Sequence, residues 1–248
     1  MKLWQKIGLL SLGVVLIAGV RVYMVWKERQ DPGVIGKKAP EKPPTMDELA
    51  VIQQLNFASF DQAKDLEGKN VWIKAGFSLP YYPYANGKVE FAKRAGELPS
   101  AEKLSISKLV KAVAPANEDN RVSHGTRQYF AVFTLDGTEG NAADAKPGTF
   151  AAPIGFEEGG NEALLCDQLF YYDDPKTIFD NWPKPVWDAV AAHTPTLGMS
   201  ENQARMAAGI LIESDSTTQG DRTVTYHEGK KLWTVTFAHG VATQVKAG

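Results

Sequence analysis

The chain has 248 residues, a mass of 27.1 kDa, 44% apolar and 23% charged residues, and a formal net charge of −2. This composition is that of a globular protein long enough to bury a substantial core, and its charge disfavours a dedicated nucleic-acid binder. One Cys excludes an intrachain disulfide framework and a multi-Cys zinc site, and four scattered His argue against a His-rich metal centre.

Residues Ile7 to Trp26 are apolar or small except for Arg21, with Lys2 and Lys6 before them and Lys27 and Arg29 after. Twenty such residues at a helical rise span roughly 30 Å, the thickness of a hydrocarbon core. Arg21 lies toward one end, where its stem can reach the headgroups, and Tyr23 and Trp26 suit the interfacial belt. The segment predicts an uncleaved transmembrane signal anchor over 1–27. A cleaved signal peptide with its apolar core at Ile7–Val20 is the competing reading. Against cleavage stand the second apolar stretch, Val22 to Trp26, and the lack of a small-x-small site after it. Residues 1–30 carry a net +4, which leaves the remainder at −6. The short basic head favours an N-terminus in the cytoplasm and an exported body. The expected location is therefore the inner membrane, single-pass, with the body in the periplasm.

Residues 28–45 hold Pro32, Pro40, Pro43 and Pro44 and almost no large apolar side chain, which predicts an extended linker. A short helix is expected next, with Thr45 and Glu48 as a capping box and Leu49, Val51, Ile52 and Leu55 as its stripe. Residues 46–195 read as a β-rich middle domain, barrel- or sandwich-like. Expected strands are Asn70–Ala75, Val89–Ala92, Leu104–Val113 (or a helix there), Gln128–Leu135 and Ala163–Tyr172. The opening Leu66 to Gly76 resembles the first strand of an OB-like barrel. Asp136 to Gly148 reads as a loop. Asp174-Pro175 predicts a helix start, Pro183 and Pro185 a break, and His193 a last-turn residue.

Ser200 and Gln203 predict a capping box for a helix Glu201–Ala208, with Gly209 as its stop. A polar loop, Glu213 to Asp221, is expected before three strands, Thr223–His227, Lys231–Phe237 and Val241–Lys246. The connections Glu228-Gly229 and His239-Gly240 predict hairpins. Trp233, Val235 and Phe237 share one face, with Val241 and Val245 opposing them. The predicted fold class is thus α+β: an anchor helix, a β-rich middle domain, and a small helix-plus-three-stranded domain over 196–248.

Within that last region the run Gly198-Met199-Ser200, the helix ending at Gly209, Tyr226 and Phe237-Ala238-His239-Gly240-Val241 resemble the SmpA/OmlA group of outer-membrane lipoproteins. The resemblance implies helices packed on a three-stranded antiparallel sheet and a part in envelope assembly through protein contact. The sequence departs from the group by lacking a lipobox Cys and by placing Ile210 where a Pro often follows the helix-ending Gly.

Motifs for catalysis are missing from the sequence: it has no G-x-x-x-x-G-K-[ST] loop, Rossmann fingerprint, G-x-S-x-G elbow or H-E-x-x-H. Ser123-His124 reads as a turn, and Cys166, flanked by Leu164 and Leu165, as a core thiol. Asp173 and Asp174 are expected to cap a helix before they bind a cation. No catalytic residue, cofactor or metal is nominated. The aromatic groups Tyr81, Tyr82 and Tyr84, Tyr171 and Tyr172, and Tyr226 with Trp233 form the candidate interaction surface. The functional expectation is a membrane-anchored envelope protein that works by protein–protein interaction. Its partners are the membrane, through residues 7–26, and an envelope protein, without nucleic acid. The alternative is a ligand-binding or enzymatic middle domain with a pocket lined by Trp72, Tyr82, Tyr84 or Phe170.

Overall fold

In a computed structural model, residues 19–27, 47, 49–113, 115, 127–135, 148–228 and 231–248 are described. The chain divides into two units, Met1–Thr45 and Met46–Gly248. In the first, residues 19–27 are helical and expose Val22, Tyr23, Met24 and Trp26. The rest of the expected anchor, 1–18, and the linker lie outside the described residues. Among the described residues no helix is long and apolar enough to cross a membrane.

The second unit is α+β and mostly strand. Its larger sheet contains β1 (Asn70–Ile73), β2 (Leu79–Ala85), β3 (Lys88–Val89), β4 (Gly96–Leu98), β5 (Lys103–Val113), β6 (Arg127–Leu135), β7 (Gly148–Glu158), β8 (Asn161–Leu164) and β9 (Phe170–Tyr171). The order is β3-β2-β7-β6-β5-β1-β9, antiparallel in every ladder, with β8 on β7 and β4 on β2. Because β4 runs through residues 99–102 into β5, the ladders from β2 through β7, β6 and β5 return to β2.

Strand periodicity explains what each face carries. In β1, Val71 and Ile73 enter the first core and Trp72 points the other way, into a second. In β6, Tyr129, Ala131 and Phe133 join the first core, whereas Phe130 and Val132 meet Tyr82 and Ala151 in a third. Both faces of β6 are therefore covered, which is why its middle, Tyr129–Phe133, is an unbroken apolar run. A short helix α1 (Phe60–Ala63) and the 3-10 turn Lys64–Leu66 close the first core with Phe60 and Leu66. The 3-10 turn Phe91–Lys93 covers the third, its Phe91 ring 5.4 Å from Tyr82 and 5.6 Å from Phe130.

The remaining helices of this unit are α2 (Cys166–Leu169), α3 (Pro175–Ile178), α4 (Lys184–Ala191) and α5 (Glu201–Ala208). Asp174 caps α3, its carboxylate accepting from the Lys176 N–H at 2.8 Å, with Pro175 in the first turn as expected. The break at Pro183 is also present. His193 lies just beyond α4 in the left-handed region, φ 49°. Its N–H donates to the Val190 carbonyl and the Thr194 N–H to that of Ala189, a Schellman stop. The Ser200–Gln203 capping box and the Gly209 terminus hold.

The second sheet is a correction: it has four strands rather than three, in the order β10 (Ile210–Ser214), β11 (Thr223–Glu228), β12 (Lys231–Ala238), β13 (Val241–Ala247). β10 takes in Ile210–Ile212, for which no element is expected, and the first two residues of the expected loop, Glu213 and Ser214. The His239-Gly240 hairpin forms, with φ 52° and 85°, as a type I′ turn requires. A register shift after Thr236 turns Ala242 inward against Phe237 and leaves Val241 exposed, contrary to the expected face. The second core joins Trp72, Tyr171, Trp182, Met199, Ala204, Tyr226, Val235 and Phe237, so it draws on both sides of residue 195.

Other expectations are corrected by tertiary contacts. The helix expected from Thr45 does not form over the described residues 50–58, and Val51 is 90% exposed. Ten residues are too few for a helix without tertiary support, and this stretch is held extended by the body. Ala163–Tyr172 is not one strand but β8, α2 and β9. Leu104–Val113 is strand, not helix. Leu79–Ala85, Gly96–Leu98 and Gly148–Glu158 are strands not anticipated.

Close strand packing gives a sharp expectation at Gly155 in β7. A Cβ there meets the Ala163 carbonyl oxygen of β8 at 2.3 Å. Gly155→Ala should therefore destabilise the body by about 3 kcal/mol, read as a lower urea midpoint.

Candidate interaction surface

The seven aromatic residues expected to face a partner are distributed among the cores. Tyr81, Tyr82, Tyr171 and Tyr226 are buried, which corrects their assignment as surface. Successive strand residues point to opposite faces, and here each face is covered. Tyr81 lies with its ring 5.1 Å from Phe150, in the first core. Tyr82 is in the third, and Tyr84 packs at its margin with Lys108 Nζ 4.8 Å over the ring. Tyr171 meets Phe179 edge-on in the second core, and burial pushes its hydroxyl up to about 12. Tyr172 is half-buried against the first core and donates to Asp167 at 2.8 Å. Tyr226 and Trp233 face each other across β11 and β12 on the inner face of the second sheet.

Trp72, Tyr82, Tyr84 and Phe170 divide among three cores and do not line a shared pocket. Cys166 is a buried, free thiol, pushed up to about 12 by burial and then by the Asp167 charge. Among the described residues no three His, Cys, Asp or Glu are grouped to hold a metal.

The second sheet offers a different surface. Its inner face packs on α5 through Val224, Tyr226, Val235 and Phe237. The opposite face carries Thr223, Thr225 and His227 of β11 and Leu232, Thr234 and Thr236 of β12, in register as Thr223–Thr236, Thr225–Thr234 and His227–Leu232. The Thr223 and Thr236 hydroxyls are 3.2 Å apart. These side chains are partly exposed, with Leu232 the most open. At one edge, β10 exposes Leu211 by 38% and Ile212 by 55%.

The sheet is fixed to α5 by an ion pair whose carboxylate, Glu201, is buried and whose guanidinium, Arg222, is partly buried. Arg222 and Glu201 are paired through more than one contact, and Glu201 also accepts from the Gly220 N–H at 2.9 Å. Arg222 Nη1 donates to the Ser216 carbonyl at 3.1 Å, so the pair also folds the loop after β10 back onto the helix. Nearby, the Tyr226 hydroxyl and Trp233 Nε1 are buried with no hydrogen-bond partner among the described residues. Removing an unsatisfied buried hydroxyl is favourable. Tyr226→Phe should raise stability by about 1 kcal/mol, seen as a higher urea midpoint with an unchanged slope.

The segment leading into the body is a strap pinned by three carboxylates. Asp47 accepts from Trp182 Nε1 at 2.7 Å and from the Ser200 hydroxyl at 2.8 Å. Asp167 accepts from the Leu55 and Asn56 N–H groups at 2.9 and 2.8 Å. Glu162 accepts from the Phe60 N–H at 2.7 Å and from the Tyr129 hydroxyl at 2.7 Å. The pins run from Ser200, the N-cap of α5, to Glu162 of β8, so the strap joins the helix that packs on the second sheet to the larger sheet.

Burial works against the charged form of Asp167. The Leu55 donor, the Tyr172 hydroxyl, the Asn56 donor and Lys74 outweigh it and hold the carboxyl below its usual value of 3.8. A depressed folded value means that this stabilisation is complete above about pH 4 and is lost as pH falls through the folded value. Cleavage of residues 47–58 by an acid-active protease should thus rise as the pH drops below about 4. Asp167→Ala should produce the same sensitivity at neutral pH, because two strap N–H groups lose their acceptor at a cost of about 2 kcal/mol.

None of these pins carries a local sequence signal, because each joins residues at least one hundred positions apart. β10 did carry one, the apolar run Ile210-Leu211-Ile212, two of its three residues β-branched, directly after a helix-ending Gly. No family model matches the chain, and no match is found among curated proteins or solved structures.

Proposed function

We propose that the protein is a single-pass, membrane-anchored component of the cell envelope whose exported body works by protein–protein contact. The observation that carries this reading is the apolar run 7–26 with basic flanks, followed by a Pro-rich stretch and a β-rich body. In this reading residues 7–26 hold the chain in the inner membrane, and residues 28–45 set the body off from the bilayer. The resemblance of 196–248 to the SmpA/OmlA group supports a role in envelope assembly. A helix on an antiparallel sheet, as in α5 on the second sheet, supports that analogy, although this sheet has four strands where the resemblance implies three.

The test joins topology with partnership. A C-terminal periplasmic reporter is expected to be active, the full-length chain to stay in the membrane pellet after alkaline carbonate, and cross-linking in intact cells to give a stoichiometric envelope protein. A chain released by carbonate, or one that cross-links only to cytoplasmic proteins, overturns the proposal.

A further inference from the structure

Resting on the reading just given, the geometry points to a binding mode: we propose that β10 is a docking edge that takes up an extended, cationic segment of a partner protein as a fifth strand. The occupant has apolar residues at alternate positions and Lys or Arg between them.

The argument begins with how the other sheet ends are protected. An open strand edge is a template for further pairing, and proteins blunt such edges with short strands, Lys, Pro or a covering segment. β3 and β9 at the ends of the larger sheet have two residues each. β8 is tied to the strap by the Phe60 N–H bond to Glu162. β13, the far edge of the second sheet, carries Lys246 and the polar Thr243 and Gln244.

β10 has none of these devices except a bulge. It is five residues long and includes no Lys, Arg or Pro, and its first three residues are Ile210, Leu211 and Ile212. The register shift between Leu211 and Glu213 makes Ile212 the extra residue and turns it toward solvent. Leu211 pairs with the fully buried Tyr226 and is the uncovered end of an inner-face row that continues through Trp233. An added strand would place an apolar side chain over Leu211 and extend that row.

Charge selects the occupant. Glu213 and Asp215 are both exposed, and residues 209–216 hold no basic side chain. A cationic strand is complementary to this edge. A second copy of the chain would set one acidic edge against another along a ladder of only five residues, so a separate partner fits better. Main-chain bonds would supply affinity and the alternate side chains specificity, as in strand addition generally.

The test uses the full-length protein in detergent micelles and the acetylated, amidated hexapeptide Lys-Val-Thr-Val-Lys-Val. Amide exchange within 210–214 should slow about tenfold at saturating peptide, with little change in Thr223–Thr236. The same peptide N-methylated at alternate residues should give no protection, since it loses only its ladder donors, and replacing its two Lys by Glu should abolish binding. Protection by the N-methylated or Glu peptide, protection confined to the threonine face, self-association through β10, or no protection at all overturns the inference. A photo-cross-linker at position 212 separates this outcome from the broader proposal. An envelope protein captured in cells from position 225 but not from 212 leaves the proposed function standing and removes the docking edge. No envelope protein from either position removes both.

Discussion

Arg222→Leu is expected to lower the stability of the body by about 3 kcal/mol, because it leaves the Glu201 carboxylate buried without its cation. Glu201 is buried at the first position of α5 and retains only the Gly220 N–H as a donor once the guanidinium is gone. The change also removes the bond from Arg222 Nη1 to the Ser216 carbonyl, so the loop 215–221 loses its hold on the helix. Two measurements follow from this. Urea denaturation should show the lowered midpoint, and limited proteolysis should cut within 215–221 before the rest of the body. The double variant Glu201→Gln with Arg222→Leu should recover a large part of the loss, since a neutral amide keeps the Gly220 donor satisfied without a buried charge. A single variant that loses less than about 1 kcal/mol would mean that the pair is solvated, as surface pairs are.

Phe133→Ala should cost about 4 kcal/mol, the range for truncating a fully buried aromatic that leaves a cavity. Phe133 stands on β6 with its ring 6.3 Å from both Tyr81 and Phe150, so three strands lose packing together. Collapse around the gap is restricted because β6 is paired on both sides, with β5 and β7. Val113→Ala is the matched control. Val113 is 57% exposed at the end of β5, and its truncation should stay within about 0.5 kcal/mol. Similar midpoints for the two variants would show that the first core is not the centre of the body's stability.

The elements legible in the sequence are those whose signals lie within a few residues. The α5 capping box needs only Ser200, Gln203 and Gly209, and all three take the expected places. Asp174-Pro175 starts α3 because a cap and a fixed φ act locally. β11, β12 and β13 were readable because alternation and two-residue turns specify a hairpin before any long-range contact forms. β6 stood out as a run of apolar and aromatic residues. In each case the information needed was held by the segment itself.

Where the reading failed, the deciding partner was distant. Tyr81 and Tyr82 look alike in sequence and are buried on opposite faces of one strand, one against Phe150 and the other against Phe91. The candidate aromatic surface was lost for this reason. A residue's type reports its apolar area, but which element covers that area is a tertiary fact. The segment after Thr45 has helical periodicity. It is nonetheless drawn out by Asp167, whose carboxylate takes two of its N–H groups from over one hundred residues away. β10 is not expected from the sequence, because an apolar run of three residues after a helix stop becomes a strand only through its pairing with β11.

The sequence by itself therefore determined the chain's plan: an apolar basic-flanked start, a Pro-rich stretch, an α+β body, and the local caps and hairpins of its last fifty residues. Only the tertiary structure decided which aromatics are core, how the strap is pinned, and that the second sheet has a fourth strand with an open apolar edge. The physical reason is one of range. Caps, turns and alternation are satisfied by neighbours in the chain, whereas burial, buried charge pairing and sheet edges depend on which distant segments arrive beside them.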